Sequence, residues 1–211
     1  MSAHPRRLAL AVLLGTGVLA LNACGSGSTT HSSSAATTAA SASSVGAPSA
    51  AAASVAVVGR TTSVTLAPAT VQRLGASSIN VTAVAPAKAV AGLRFPITGG
   101  HISPVTLAGT IEQGGGIKLA HGGRNVTLTK FVLDTAAKQI TASVGGLRVP
   151  IFALDLSRVR RASGTGGTLL VRGVRLLVTQ QAAASLSLLL GGAGLSAGEE
   201  FGVATLTVAV K

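Results

Sequence analysis

From Thr61 to Lys211 the sequence repeats one pattern, in which a short run of alternating apolar and polar residues is followed by a turn rich in glycine. Ser78–Val84, Arg124–Leu133 and Gln139–Val144 show the alternation clearly. Successive side chains of a β-strand point to opposite faces of a sheet, so a period of two indicates strands with one buried face. The pattern predicts a mainly β domain, either an antiparallel β-sandwich or a barrel-like fold.

The same pattern predicts further strands at Ser63–Ala67, Leu93–Ile102, Val105–Ile111, Gly116–Ala120, Leu147–Leu156, Thr168–Thr179 and Phe201–Val210. Two short helices are predicted among them. Pro68–Leu74 has a proline at its first position, and Gln180–Leu190 is followed by Gly191–Gly192, where a helix is expected to end. Pro96 indicates an edge strand or a bent strand, and Gly99–Gly100 indicates a kink or bulge.

Residues 1–23 are predicted to be a lipoprotein signal peptide. Arg6 and Arg7 precede an apolar run at Leu8–Leu21, which is shorter than the roughly 20 residues that a membrane-spanning helix needs. The run ends in Leu21-Asn22-Ala23-Cys24, which resembles a bacterial lipobox. This resemblance implies cleavage before Cys24, acylation of its thiol, and a membrane-anchored protein on the extracytoplasmic face of the cell membrane.

Residues 24–60 are predicted to be a flexible tether that precedes the β-rich domain at residues 61–211. Most of the tether is Ser, Ala, Thr and Gly, without a periodic apolar face. Such a segment cannot bury enough apolar surface to offset the entropy lost on ordering it. We therefore expect a spacer between the lipid anchor and the folded domain.

The chain is strongly basic, with 17 Lys and Arg residues against 5 Asp and Glu residues. Arg158, Arg160 and Arg161 form a candidate basic patch, which Arg172 and Arg175 on the next predicted strand extend only partly, because residues three apart on a strand face opposite sides. For an exported protein the natural anionic partners are wall polymers and lipid head groups. Nucleic acid is not expected, since the chain has four Phe and neither Trp nor Tyr for base stacking.

The reactive groups that enzymes use are scarce, so we expect no enzymatic activity. The acidic residues are Glu112, Asp134, Asp155, Glu199 and Glu200. Adjacent residues on a strand point apart, so the last two cannot form a catalytic pair. Asp134 is expected to hydrogen-bond its own turn, and Asp155 to form a structural ion pair with Arg158 or Arg160. The single Cys excludes an internal disulfide and a Cys-rich metal site.

The order of short motifs from Phe95 to Val208 resembles the HtaA-like domain family of actinobacterial envelope proteins. The matching residues are Phe95, Gly99–Gly100, Gly109–Ile111, Gly116–Ile117, His121–Gly123, Asn125–Leu128, Ile140–Ala142, Ala153–Leu156, Val178–Thr179, Ala182–Leu190, Gly198, Phe201–Gly202 and Ala204–Val208. The resemblance implies a β-rich surface module that binds haem in some members. It also implies an axial Tyr, assisted by a His from a turn like His121-Gly122-Gly123.

This chain departs from that implied ligand set, because it contains no Tyr. Either His121 ligates the iron directly through its imidazole, or haem is not the ligand. His101 is the second histidine of the domain, and we expect the two to be able to face each other across adjacent strands. The alternatives are therefore a two-histidine site for a metal or haem, or two ordinary surface histidines.

These observations lead to an anchored surface lipoprotein with a β-rich ligand-binding domain, for which haem is the ligand that the resemblance implies. Two alternatives stay open. One is a structural envelope lipoprotein whose basic face holds anionic wall polymer or lipid. The other is a carrier of apolar ligands, which the mean hydropathy of +0.59 favours.

Overall fold

The alternating segments pair with one another into a single antiparallel sheet in the computed structural model, which describes residues 53–192 and 194–211. The predicted signal peptide, Cys24 and residues 25–52 of the predicted tether lie outside the described residues. The elements are β1 Val55–Leu66, α1 Pro68–Ala76, β2 Asn80–Val84, β3 Lys88–Ala89, β4 Leu93–Ile102, β5 Gly109–His121, β6 Arg124–Asp134, β7 Gln139–Val144, β8 Leu147–Asp155, β9 Arg160–Gly164, β10 Thr168–Val178, α2 Gln180–Leu189 and β11 Glu200–Val210.

Eight of the strands close into a barrel in the order β5, β6, β7, β8, β10, β11, β1, β4, because β4 also pairs with β5. The short strands β2 and β3 add to β5 and β4, and β9 adds to β10. A closed sheet has no unpaired edge around its circumference. The prediction of a mainly β antiparallel fold is confirmed, and of its two forms the structure is the barrel.

The predicted bounds of β4 and β7 are confirmed, whereas other segments differ. The two strands predicted on either side of Gly114–Gly116 are one continuous strand, β5, whose register against β6 shifts between Gln113 and Gly116. A glycine run therefore makes a bulge here and not a turn. β1 begins at Val55, before the expected domain start at Thr61. The short strands β3 and β9 were not predicted, since neither shows apolar alternation.

The sequence left two interpretations of Pro96, an edge strand or a bent strand; β4 lies between β1 and β5, so it is not an edge strand, and its register shift just after Pro96 fits the bent one. Pro96 pairs with Thr61 of β1, but the pairing of β4 with β5 covers only Ile97–Ile102. The missing N–H of the proline therefore interrupts no ladder on the β5 side. The register shift between Ile97 and Gly99 confirms the predicted bulge.

The core fills the interior of the barrel with the inward-facing residues of each strand. All four Phe residues are buried there, as two pairs with ring centroids 5.4 Å apart for Phe95–Phe131 and 4.7 Å apart for Phe152–Phe201. Aromatic pairs at such distances contribute beyond their buried area. The core also holds a polar pair, in which the Gln113 Nε2 donates to the Thr62 Oγ1 at 3.1 Å.

Both predicted helices are present, and α2 has clear sequence signals at its two ends. Thr179 Oγ1 accepts a hydrogen bond from the Ala182 N–H at 3.1 Å and donates one to the Pro150 carbonyl at 2.6 Å. Gly191 and Gly192, with φ of +73° and +93°, end the helix as predicted. In the described part of the chain no helix has the length and apolarity that crossing a membrane requires.

Candidate functional site

One end of the barrel holds a cavity of about 430 Å³, which we call the mouth cavity. Three loops surround it, namely residues 103–108 after β4, residues 135–138 after β6 and residues 156–159 after β8. Its lining is mostly apolar. The lining residues are Ile102, Thr106, Leu107, Ala108, Ile111, Leu133, Thr135, Lys138, Leu156, Val159, Arg161, Val171, Val174 and Leu206.

The cavity forms where one wall of the barrel leaves the closed sheet. β8 pairs with β10 only as far as Asp155 opposite Arg175, and β9 then continues along β10 with Arg160 opposite Arg172. Among the described strands β9 pairs with β10 alone, so its other edge stays separate from the barrel. Past Asp155, the inward-facing side chains of β9 and β10, such as Arg161 and Val171, therefore line the cavity and do not pack against a neighbouring barrel strand.

Hydrogen bonds fix the loop of residues 103–108 over this space. Arg161 Nη1 donates to the Pro104 carbonyl at 3.2 Å and also to the Val105 carbonyl. From the other side, Thr135 Oγ1 donates to the carbonyls of Leu107 and of Gly109, the latter at 3.0 Å. Contacts from β9 and from the β6–β7 turn thus hold one loop, so the cavity is preformed.

The floor and the rim of the mouth cavity differ in chemistry. Ile111 and Leu133 at the floor are 0% and 1% exposed. The charged side chains in the lining are Lys138 and Arg161, both basic and both exposed at the rim. No acidic residue is among the described residues that line it. The arrangement offers an apolar interior under a positively charged opening.

The structure divides the predicted basic patch between two surfaces. Arg161 pairs with the buried Val171 and lines the mouth cavity. Arg160 pairs instead with the exposed Arg172, and Arg158 lies on the same outer face beside Arg175. Arg158, Arg160 and Arg172 therefore form an outer basic patch without Arg161, and its binding to wall polymer or lipid stays a prediction.

Arg172 and Arg175 share the outer face, so the expectation that they point to opposite sides is wrong. The cause is a bulge at Gly173, where the register against β11 shifts. Arg172 lies opposite Thr205, and Arg175 lies opposite Val203. Arg172 and Arg175 are three residues apart in the sequence, but because the bulge inserts one extra residue, their partners on β11 are only two residues apart. Residues two pairing positions apart lie on the same face of the sheet.

Arg175 is the partner of Asp155, so the predicted pairing of Asp155 with Arg158 or Arg160 is wrong. The Arg175 Nη1 lies 3.0 Å from the Asp155 Oδ2, and its Nη2 lies 2.5 Å from the Glu200 Oε2. Hydrogen bonds from the Ser157 hydroxyl and from its backbone N–H, followed by the contact with Arg175, lower the pKa of Asp155. Glu200, and then Asp155, raise the pKa of Arg175.

Glu199 and Asp134 also form structural contacts. The Arg73 Nε lies 2.8 Å from the Glu199 Oε1, while the other carboxylate oxygen accepts from the Ser196 N–H at 3.0 Å. The Asp134 Oδ1 accepts from the Ala137 N–H at 2.8 Å, which confirms the expected bond within its own turn. Of the five acids, four are thus held by neighbouring groups, and Asp155 and Glu200 share one partner, Arg175.

His101 and His121 lie at opposite ends of the barrel. His101 is exposed on β4 opposite Thr110, and its Nε2 is 3.4 Å from the Thr110 Oγ1. His121 is the last residue of β5, eleven residues after Thr110, which corresponds to on the order of 30 Å along a strand. The expectation that the two face each other across adjacent strands is wrong, and each stays a separate candidate.

An open groove of about 440 Å³ lies between α1 and β2, and His121 is not among its described lining residues. The groove is lined by Leu66, Val71, Leu74, Gly75, Ser78, Ile79, Asn80 and Val81. Asn80, which lines the groove, pairs with Ala120, and Ala120 is the residue directly before His121. Its Nδ1 is buried without a hydrogen-bond partner. Among the described residues no cluster of three His, Cys, Asp or Glu side chains is placed to hold a metal ion.

Comparison with solved structures shows a likeness to the C-terminal domain of HtaA from Corynebacterium glutamicum. The TM-score is 0.56 at 11% sequence identity, and the match covers 74% of this chain and 99% of that one. The fold is HtaA-like. No protein-family model matches the sequence, and no curated protein matches it either. At this identity the HtaA likeness concerns the fold, and the functional residues must be argued from this chain.

Sequence reasoning missed Leu107, Thr135 and Lys138 as residues of a site, because they lie in two separate loops. One signal in the sequence points to them. In a meander of antiparallel strands alternate hairpin loops lie at the same end, so the loop after β4 and the turn after β6 are expected to meet. Their joint position around the mouth cavity agrees with that rule.

Proposed function

We propose that the chain is a non-enzymatic, lipid-anchored surface protein whose barrel binds an apolar ligand in the mouth cavity. The observation that carries the proposal is the cavity itself. Its volume of about 430 Å³ is within the usual range of small-molecule sites, roughly 300–1,000 Å³. Anchoring and surface exposure rest on the lipobox-like sequence ending at Cys24.

The chemistry of the lining supports binding in preference to catalysis. An apolar ligand in contact with Ile111, Leu133 and Val174 would be removed from water, which is favourable in proportion to the apolar area buried. The polar side chains of the described lining are those of Thr106, Thr135, Lys138 and Arg161, and Thr135 and Arg161 already hydrogen-bond the loop of residues 103–108.

Titration with N-phenyl-1-naphthylamine, a neutral apolar fluorophore, tests this proposal. We expect saturable binding that Val171→Trp abolishes, because the larger side chain occupies the cavity, while Val58→Trp leaves it intact. Val58 is 57% exposed on β1, so it receives the same substitution outside the cavity. Binding that is absent in the unaltered chain, or equal in both variants, would overturn the proposal.

Haem is the second candidate, and the buried, unpartnered Nδ1 of His121 favours it. The mouth cavity does not fit haem, since none of its described lining residues is a His, Tyr, Cys or Met that could ligate iron. Val71 and Leu74 of the groove between α1 and β2 offer an apolar surface, and Asn80 of that groove pairs with Ala120, the residue before His121. A haem iron held there would take an imidazole nitrogen of His121.

A haemin titration followed by absorbance separates this candidate from the first. If haem binds through His121, a shifted Soret band grows stoichiometrically and is lost in His121→Ala. His101→Ala is the matched control, because His101 is exposed at the other end of the barrel. A titration no steeper than that of an unrelated protein, or equal loss in both variants, removes haem as the ligand.

A further inference from the structure

We propose that the ligand of the mouth cavity is an anionic amphiphile, whose apolar chain lies on the cavity floor and whose carboxylate or phosphate contacts Lys138 and Arg161. This inference rests on the proposed function, since it names the class of molecule that the same cavity takes.

Arg161 is held in place and keeps donors free for an anion. Its Nη1 makes both described hydrogen bonds, to the carbonyls of Pro104 and Val105. A guanidinium has five N–H groups in a planar fork, so those on Nε and Nη2 remain for a ligand. Such a fork matches the two oxygens of a carboxylate or phosphate, and its fixed position reduces the entropy lost on binding.

Lys138 lies across the rim in the turn between β6 and β7. Its backbone carbonyl accepts a hydrogen bond from the Leu154 N–H at 2.8 Å, which fixes the main chain, while its side chain is exposed. Because its ammonium group is carried on a flexible chain of four carbons, Lys138 can reach an anion at several positions in the opening. The two basic side chains thus approach the opening from β9 and from the β6–β7 turn.

The acidic residues nearest to these elements are already bound to other groups. Asp134 starts the turn that contains Lys138, and its Oδ1 accepts from the Ala137 N–H. Asp155 precedes β9, and it binds Ser157 and Arg175. Neither carboxylate lines the cavity, so the charge of the rim is positive and favours an anionic head group over a neutral or cationic one.

The chain enters the barrel at this same end, which brings a membrane source of the ligand into consideration. Val55 at the start of β1 pairs with Ile102, which lines the mouth cavity. Cys24, the predicted site of acylation, precedes Val55 by 31 residues, and an extended chain of that length reaches at most about 100 Å. A lipid of the anchoring membrane and a free amphiphile in solution share the required chemistry.

The test uses the full chain and two forms of one fluorescent probe, cis-parinaric acid and its methyl ester. They share the apolar chain, and only the acid carries a charge. We expect the acid to bind about tenfold more tightly at low salt, and added salt to weaken the acid but not the ester. Lys138→Gln and Arg161→Gln should each weaken the acid severalfold and leave the ester unchanged.

Two further variants keep the result interpretable. Lys118→Gln removes one positive charge from an exposed position of β5 outside the cavity, so it should change neither affinity. Arg161→Lys retains the charge but loses the planar fork, and it reports whether the loop contacts of Arg161 matter to the fold. The comparison of acid with ester in the unaltered chain needs no substitution at all.

The outcomes separate this inference from the proposed function. If neither probe binds, the apolar cavity is not a site and both proposals fail. If acid and ester bind equally, or Lys118→Gln weakens the acid as much as Lys138→Gln does, the cavity is a site but the anionic head group is wrong. Tighter binding of the acid that depends on Lys138 and Arg161 supports the inference.

A second arm identifies the source of the ligand by offering the acid in phosphatidylcholine vesicles without net charge, which the outer basic patch does not attract. Transfer from the vesicles to the chain, at a rate that rises with vesicle concentration, indicates a membrane source. Transfer limited by release of the acid into water, and independent of vesicle concentration, indicates a soluble source. Transfer to the double variant Lys138→Gln, Arg161→Gln that is as fast and as complete as transfer to the unaltered chain would overturn the inference.

Discussion

Gly173 illustrates how a single residue decides where charge lies on this barrel. Its φ of +82° belongs to the left-handed region, which residues with a side chain rarely adopt. A Cβ at this position would lie 2.7 Å from the Arg158 carbonyl oxygen. The bulge that forms there directs Arg175 to the outer face, where Asp155 and Glu200 bind it.

Gly173→Ala should therefore lower the free energy of unfolding by about 2–4 kcal/mol, because it adds a clash with backbone to an unfavourable φ. Gly166→Ala is the matched control. Its φ is +67°, but no atom lies within 4 Å of the added Cβ, so we expect a loss of only about 1 kcal/mol. Urea unfolding measures both, and equal losses would show that the contact with Arg158 does not matter.

The lowered pKa of Asp155 predicts a pH dependence of stability. A carboxyl whose pKa is lower in the folded state stabilises the fold above its unfolded pKa, here 3.8, and loses that effect as pH falls through the folded value. Asp155→Asn should be destabilised at pH 7, with the difference from the unaltered chain shrinking below about pH 4.

Urea unfolding at several pH values between 7 and 3 measures this difference. Glu112→Gln, at an exposed position of β5, is the control for loss of one negative charge. If the deficit of Asp155→Asn were the same at pH 3 as at pH 7, the ionised carboxylate would not be the stabilising form. The ion pair with Arg175 would then be an incidental contact.

At the scale of elements, local signals placed β4, β7 and α2 well. β7 alternates strictly between turn residues, and α2 is followed by two glycines. Signals of this kind act within a few residues, so the sequence contains them directly. β9 is different, because it consists of charged and small residues and becomes a strand only through pairing with β10.

Thr179 provides a direct test of how much one local signal contributes to α2. Thr179→Ala removes the bond accepted from Ala182 and the bond donated to Pro150, so we expect a loss of about 1–2 kcal/mol in urea unfolding. Thr179→Ser keeps the hydroxyl and should cost less than about 0.5 kcal/mol. A loss in the serine variant as large as in the alanine variant would assign the effect to the methyl group.

At the scale of the whole molecule, the barrel closes through contacts that no local pattern specifies. Alternation indicates which face of a strand is buried, but it is the pairing of β4 with β5 that distinguishes a barrel from a sandwich. The mouth cavity is likewise assembled from residues of β4, β5, β6, β9, β10, β11 and three loops, spread along the sequence from Ile102 to Leu206. The sequence therefore predicted the class of fold but not the cavity, and His101 and His121 remain separate, untested candidates.

Native mass spectrometry of residues 25–211, which lack the predicted signal peptide and acylation site and can be purified from bacterial cells without detergent, tests most simply whether the mouth cavity holds an apolar ligand. We expect a population carrying one additional small molecule, which is released on unfolding and is missing from Val171→Trp. Val58→Trp, altered on the outer surface, should keep it. An unliganded mass in every form, even after the cells or the protein are supplied with fatty acids and phospholipids, would contradict the account.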